Sequence, residues 1–378
     1  MAATPSPESR VPSPGFSAAD HTLMARALRL AERGRFTTQP NPRVGCVIAH
    51  GGEVIGEGWH QRAGEPHAEV LALRAAGPRA RGAAAYVTLE PCAHYGRTPP
   101  CADALVEAGI ARVIAACEDP NPKTAGGGLR RLREAGIEVH VGLMRDCARE
   151  INRGFFSRQE RGRPWVRVKL AMSLDGRTAL GSGASKWITG EAARADVQRW
   201  RARSSAILTG AGTARMDDPR LTVRLPEGEL FQSPLRITFD AQLDALPAGA
   251  NLLDGSAPTL VLHAPDAKPR DQRYAHAELA PVPLDAQSRF DLAAVMRLLA
   301  AREVNELQVE AGPSLCGALF DAGLVDELLL YIAPVLLGDL ARPLLHLPPL
   351  AEMAGRRSLR VVDQRMLGTD IRLLLRPS

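Results

Sequence analysis

The chain has 378 residues, a formal charge of +5 from 47 Lys and Arg against 42 Asp and Glu, and six cysteines. One hydrophobic core rarely serves that length, no apolar run approaches the roughly 20 residues that cross a bilayer, and no basic-then-apolar secretory signal opens the chain; two cytoplasmic domains are expected, away from membranes. A mild, scattered basic excess and 4% aromatics offer no stacking stripe for nucleic acid, and the cysteines read as thiols or metal ligands rather than a disulfide framework.

Residues 1–18, rich in Pro, Ser and Ala, are expected to be a disordered extension. The fold should begin near Asp20, placed to cap a helix with apolar positions Leu23, Met24, Ala27, Leu28 and Ala31 and an end at Gly34. "VGCVIA" and "GEVIGEGW" read as a hairpin through Gly51 and Gly52, and a helix follows from about His67. Strand-like "AAYVTLE", "ARVIAAC" and "EVHVG" then alternate with helix-like "PPCADALVEAG" and "GGLRRLREAG", the rhythm of a layered α/β domain. The basic stretch "RQERGRP" (Arg158–Pro164) is the expected linker, dividing the chain into domains at 19–162 and 163–378. Beyond it, "WVRVKLAMS", "AILTG", "LRITFD", "TLVLH" and "LQVE" read as strands of a second α/β block that closes on β-rich "DELLLYIAPVLL". No internal repeat links the two blocks, so two different folds are expected.

"GEPHAEVLAL" places His67 and Glu69 at a helix start, which alone is ordinary helix-terminus chemistry. "TLEPCAHYGRTPPCADAL" changes its weight. Cys92 follows a strand, and Cys101 opens a helix announced by Pro99 and Pro100, where a helix N-terminus favours thiolate, the form that binds zinc. His67, Cys92 and Cys101 make three zinc ligands and leave one position for water, whereas a structural site needs a fourth, for which Cys46 or His60 is available. Zinc lowers the pKa of a bound water to roughly 7, and Glu69 is then placed to carry its proton to a leaving amine. H-x-E with P-C-x-x-C is the nucleobase-deaminase pattern, from which this chain departs by the insert "AHYGRTPP" between its cysteines.

The second half shows no convincing G-x-G-x-x-G after a strand, so a simple dinucleotide fingerprint is not its signal. "LQVEAGPSLCGALF" reads as a strand, a glycine turn, Pro313 at a first helical position and a helix whose N-terminus suits phosphate. Arg201 and Arg224 suit a substrate phosphate, and each is equally compatible with a surface charge.

"NPRVGCVI", "GWHQRAGEPHAE", "TLEPCAHYGRTPPC" and "DPNPKTAGGGL" together resemble the deaminase half of the bifunctional deaminase/reductases of riboflavin biosynthesis, whose zinc motif carries the long insert. "VRVKLAMSLDGRTA", "SGASKWITG", "ILTGAGTARMDDPRLTVR" and "VEAGPSLCGALFDAGLVDELLLYIAP" resemble the reductase half of the same family. The resemblance implies a cytidine-deaminase-like three-layer α/β domain followed by a dihydrofolate-reductase-like α/β domain. It implies one Zn2+ on His67, Cys92 and Cys101, Glu69 as proton shuttle, and substrate contacts from Asn41, His60, His94 and Arg97. In the second domain it implies NADPH on Ala171, Trp187, Thr213, Asp217 and the run Gly312, Pro313, Ser314, Leu315, Cys316, Gly317 and Ala318. Ser185, Arg201, Leu221, Arg224 and Glu310 would meet the substrate, and Asp217, with Lys169 second, is the candidate proton donor for reduction. The implied substrate is a phosphoribosylamino pyrimidine, deaminated and then reduced at its ribosyl chain, and the implied assembly is a homo-oligomer.

Overall fold

The computed structural model describes residues 15–93, 99–122 and 124–378, so most of the expected N-terminal extension lies outside the described residues. They form two compact units, one from the chain up to Arg35 with Arg43–Asn152, the other from Phe36–Pro42 with Arg153–Ser378. Among the described residues no helix is long and apolar enough to cross a membrane.

Helix α1 (Ala18–Glu32) opens the first unit, and its cap is Ser17 rather than Asp20. The Ser17 hydroxyl accepts the Asp20 N–H at 3.1 Å while the Asp20 carboxylate accepts the Ser17 N–H at 2.9 Å, a capping box. Aspartate serves equally as a cap or as a first-turn acid, so the sequence pattern alone set the start too late. Strands β1 (Gly45–His50) and β2 (Glu53–Trp59) make the expected hairpin, followed by α2 (Ala68–Ala76), β3 (Ala84–Val87), α3 (Cys101–Glu107), β4 (Arg112–Ala115), α4 (Gly127–Glu134), β5 (Glu138–Val141) and α5 (Arg145–Ile151). The sheet runs β2-β1-β3-β4-β5, antiparallel across β1 and parallel from β3 to β5.

Cys46, Ile48, Ala85, Val87, Val113 and Ala115 are buried on one sheet face with Ala68, Ala72, Leu105 and Leu129 of α2–α4. Alternation turns Tyr86 to the other face, where its hydroxyl donates to Asp20 of α1 at 2.7 Å. Helices therefore cover both faces. A Cβ at Gly56 or Gly58 of β2 would stand 2.3 or 2.6 Å from an α2 carbonyl oxygen. Only glycine permits that approach, and it fixes where the first turn of α2 carries His67 and Glu69.

The second unit comprises α6 (Arg153–Arg161), β6 (Trp165–Ser173), β7 (Arg177–Ala179), α7 (Glu191–Arg203), β8 (Ala206–Thr209), α8 (Ala211–Asp217), β9 (Leu235–Phe239), β10 (Thr259–His263), β11 (Glu278–Pro281), α9 (Leu292–Ala301), β12 (Glu306–Val309), α10 (Pro313–Asp321), β13 (Glu327–Ala333), β14 (Arg342–Pro343), β15 (Leu359–Leu367) and β16 (Asp370–Pro377). Its nine-stranded sheet runs β11-β10-β9-β8-β12-β6-β13-β16-β15. All pairings are parallel except the antiparallel β13-β16 and β16-β15 at one edge.

The expected linker is no linker. Arg158 donates to Asn305 at 2.7 Å, and Arg161 and Arg163 pair with Asp326 at 2.8 and 2.7 Å, so these basic residues are committed to partners within the second unit. The earlier segment Phe36–Pro42 groups there too, because the Gln39 side-chain oxygen accepts from Ser205 at 2.8 Å and from Asn305 at 3.0 Å.

Candidate active sites

His67 is the N-cap residue of α2, Cys92 lies in the loop after β3, and Cys101 is the first residue of α3. Their donor atoms lie within 4.8 Å of one another. His67 turns Nδ1 toward both sulfurs, 3.6 Å from Cys92 Sγ and 3.3 Å from Cys101 Sγ, and the Cys101 N–H approaches Cys92 Sγ at 3.4 Å. A hydrogen bond from Cys101, against the opposing effect of burial, brings the Cys92 thiol down to about 4, while the Cys101 thiol is pushed up by the same bond and by burial. With the two sulfurs this close, ionisation of one opposes ionisation of the other. A divalent cation among three such donors is what would let both ionise, and one imidazole nitrogen with two sulfurs is a zinc-type donor set.

Glu69, in the first turn of α2, is 3% exposed, and burial followed by the nearby negative Cys92 raises its carboxyl to about 7. His60 stacks edge-on against His67 with ring centroids 5.2 Å apart, and burial drives it down to about 4, so it is neutral at neutral pH. The structure therefore brings His60 and Glu69 to the donor set. Asn41 belongs to the segment that groups with the second unit, and His94 and Arg97 lie outside the described residues.

In the second unit, a cleft of about 1380 Å³ opens where β8 and β12, adjacent parallel strands, run into α8 and α10. A crevice at the carboxyl ends of parallel strands is the usual ligand position in such sheets, and two helix N-termini suit phosphate. Lys169, Ala171, Ser185, Trp187, Arg201, Thr213, Asp217, Leu221, Arg224, Glu310, Gly312, Pro313, Ser314, Leu315 and Ala318 all line it. Cys316 and Gly317 do not. Cys316 is fully buried with its thiol directed to the Ala311 carbonyl at 3.4 Å, and a Cβ at Gly317 would stand 1.9 Å from the His346 carbonyl oxygen. Trp187 is exposed at the cleft rather than packed in the core, with the Arg194 guanidinium 4.7 Å from its ring centre.

Arg201 and Glu310 form a two-armed pair at 2.7 Å on each arm, and Arg201 also donates to the Thr222 carbonyl at 3.0 Å. This pairing makes Arg201 a partner of Glu310 rather than an uncommitted phosphate ligand. Arg224 is exposed, and its guanidinium makes no ion pair among the described residues. Burial works against the Glu310 charge, yet Arg201 and Lys169 hold its carboxyl at about 2. Burial also lowers Lys169, with Glu310 opposing. Gln308, absent from the expected set, donates to Glu310 at 2.8 Å from two residues along the same strand. The period-two spacing was its only signal.

The two units define a class: a zinc-type deaminase joined to a nucleotide-dependent reductase. The family model described as cytidine and deoxycytidylate deaminase zinc-binding region matches residues 17–117, and that of the RibD C-terminal domain matches 164–373. The chain is 49% identical to the riboflavin biosynthesis protein RibD of Escherichia coli, over 94% of this chain and 99% of that one. It is likewise 49% identical to RibD of Haemophilus influenzae, over 96% and 98%. Its structure is similar to that of Acinetobacter baumannii RibD, with a TM-score of 0.88 at 43% identity, covering 95% of this chain and 99% of that one. It is also similar to the diaminohydroxyphosphoribosylaminopyrimidine deaminase/5-amino-6-(5-phosphoribosylamino)uracil reductase of Thermotoga maritima, with a TM-score of 0.84 at 31% identity over the same shares. The chain belongs to the RibD family, the bifunctional deaminase and reductase of riboflavin biosynthesis.

Proposed function

We propose that the first unit hydrolyses the 2-amino group of 2,5-diamino-6-(5-phosphoribosylamino)pyrimidin-4(3H)-one, and that the second reduces the ribosyl chain of the product with NADPH to give 5-amino-6-(5-phosphoribitylamino)uracil. The observation that carries the first step is the buried Glu69 carboxyl beside the His67, Cys92 and Cys101 donors. These three residues would hold zinc, which when bound supplies Lewis-acid activation of water. Glu69 takes the proton of the attacking water and delivers it to the departing amine, so that amine and water become carbonyl and ammonia. A carboxyl poised near 7 exchanges protons in both directions at neutral pH. Neutral His60 contacts the base.

Reduction of the opened ribosyl imine needs a hydride on its C1 carbon and a proton on the attached nitrogen. Ala171, Trp187, Thr213, Asp217 and the start of α10 would hold NADPH, which when bound would supply the hydride. Lys169 is the better proton donor of the two candidates: burial at the cleft weakens its hold on the proton, whereas Asp217 is an exposed residue ending α8. Ser185, Leu221 and Arg224 meet the substrate, and Arg201 acts through Glu310. Both steps use a small phosphorylated substrate, which we place in the cytoplasm and assign to a homo-oligomer without nucleic-acid or membrane partners.

Glu69→Gln tests the first assignment. Ammonia release should fall by about 10²- to 10⁴-fold while zinc content and NADPH oxidation on deaminated substrate stay at the wild-type level. Ammonia release that survives the substitution rules out Glu69 as the proton carrier.

A further inference from the structure

Glu90 stands two residues before Cys92 and has no part in the chemistry above. It is 5% exposed, and its two oxygens accept four backbone N–H groups. Oε1 takes those of Gly128 at 2.9 Å and Leu129 at 3.3 Å, and Oε2 those of Gly126 at 3.0 Å and Asp119 at 3.1 Å. All four belong to "DPNPKTAGGGL", the segment running from β4 into α4. The first N–H groups of a helix have no partner within it, and a carboxylate is an acceptor-only group able to receive all four bonds. Asp119 ties the same segment internally, accepting from the Asn121 N–H at 2.9 Å and the Thr124 hydroxyl at 2.8 Å.

One of these glycines then closes on the residue before Cys92. A Cβ at Gly128 would stand 1.8 Å from the Pro91 carbonyl oxygen, and one at Gly127 would stand 3.5 Å from the Ala93 side chain. Cys92 itself lies outside any strand or helix, and its carbonyl accepts only the Ala102 N–H among the described backbone bonds. Its sulfur is therefore placed from the α3 side by the Cys101 N–H at 3.4 Å and the Ala102 N–H on its carbonyl, and from the other side by what holds Pro91.

We propose that Glu90 is a positioning residue for the metal: it draws the glycine segment against Pro91, the residue before Cys92, and thereby helps fix the Cys92 sulfur relative to His67 Nδ1 and Cys101. The proposal rests on reading His67, Cys92 and Cys101 as the zinc set. Metal affinity responds to ligand displacements of a few tenths of an ångström, and losing a partner that orients a ligand typically costs 10- to 100-fold in affinity.

The test is Glu90→Gln in the full chain. The amide keeps one acceptor oxygen and turns the other into an NH₂, so two of the four N–H groups face a donor. Zinc affinity is measured by competition with a chromophoric chelator, ligand geometry by the visible spectrum of the cobalt(II)-loaded protein, and the NADPH reaction reports the other unit. Glu53→Gln, which removes an exposed ion pair with Arg79 in the same unit, is the control. The expected result is zinc binding about 10- to 100-fold weaker, displaced cobalt bands, and a lower deaminase kcat at little-changed KM, with reduction and the control unaffected. Wild-type zinc affinity and an unshifted cobalt spectrum in Glu90→Gln overturn the proposal, even if the variant melts earlier. A wild-type chain that takes up no zinc overturns the reading of the site itself, and the proposal with it. Should Glu90→Gln fail to fold, Thr124→Val loosens the same segment more gently, and an unshifted cobalt spectrum there has the same overturning force.

Discussion

Replacing Glu310 by Gln leaves the Arg201 and Lys169 charges without the anion that both stabilise. The Glu310 and Arg201 side chains are each 12% exposed, so the pair is little screened. Holding the Glu310 carboxyl at about 2 against an ordinary 4.5 corresponds to roughly 3 kcal/mol, and removing one partner of a buried pair costs about 3–5 kcal/mol, in agreement. Because the folded pKa is depressed, that stabilisation is complete above pH 4.5 and is lost as pH falls toward 2. A unit of this size should melt about 6–12 °C earlier in the variant at pH 7, and the gap should close between pH 4.5 and pH 2. Tryptophan fluorescence follows this melt, since Trp165, Trp187 and Trp200 all lie in the second unit and only Trp59 in the first. Adding Arg201→Gln to the variant should recover part of the loss by removing the stranded charge. A gap below about 2 °C at pH 7, or one of equal size at pH 7 and pH 3, refutes the reasoning.

Dialysis against a strong zinc chelator should abolish ammonia release and leave NADPH oxidation on deaminated substrate intact, with activity returning on added zinc; a chelator-resistant deaminase contradicts the metal assignment. Lys169→Met should lower reductase kcat about 10²- to 10⁴-fold at little-changed KM, and Asp217→Asn by less than about tenfold; the reverse order in steady-state kinetics returns the donor role to Asp217. Cys316→Ala should cost about 1 kcal/mol of stability in a denaturant titration and leave the KM for NADPH unchanged, because its thiol faces the core. A tenfold rise in that KM would put Cys316 back among the cofactor contacts.

What the sequence revealed divides along a physical line. His67, Glu69, Cys92 and Cys101 were legible because zinc chemistry needs particular atoms, and two short motifs supply them at helix and strand ends that composition marks clearly. The rim of the second cleft was legible mainly through the resemblance to a known reductase, and from the residues themselves only where Gly312 and Pro313 mark the turn from β12 into α10. Helical period explains the error inside α10, where Ser314, Leu315 and Ala318 share the face toward the cleft while Cys316 and Gly317 turn to the core. Arg201 and Glu310 are 109 residues apart, so each looked like a lone charge until the sheet brought them together. The same holds for Arg158, Arg161 and Arg163, which read as a solvated linker because their partners Asn305 and Asp326 come far later in the chain. The last strands, β15 and β16, gave no signal that was recognised, because β15 is an edge strand with Val361, Val362 and Met366 exposed and lacks the clean alternation of a half-buried one. Glu90 belongs to the same class of silence: a glutamate beside a proline and a cysteine announces nothing until four N–H groups from a distant glycine run are found on its oxygens. Groups that do the chemistry are marked in the sequence by their type, whereas groups that hold them in place are marked only by their partners, and those are assigned by the fold.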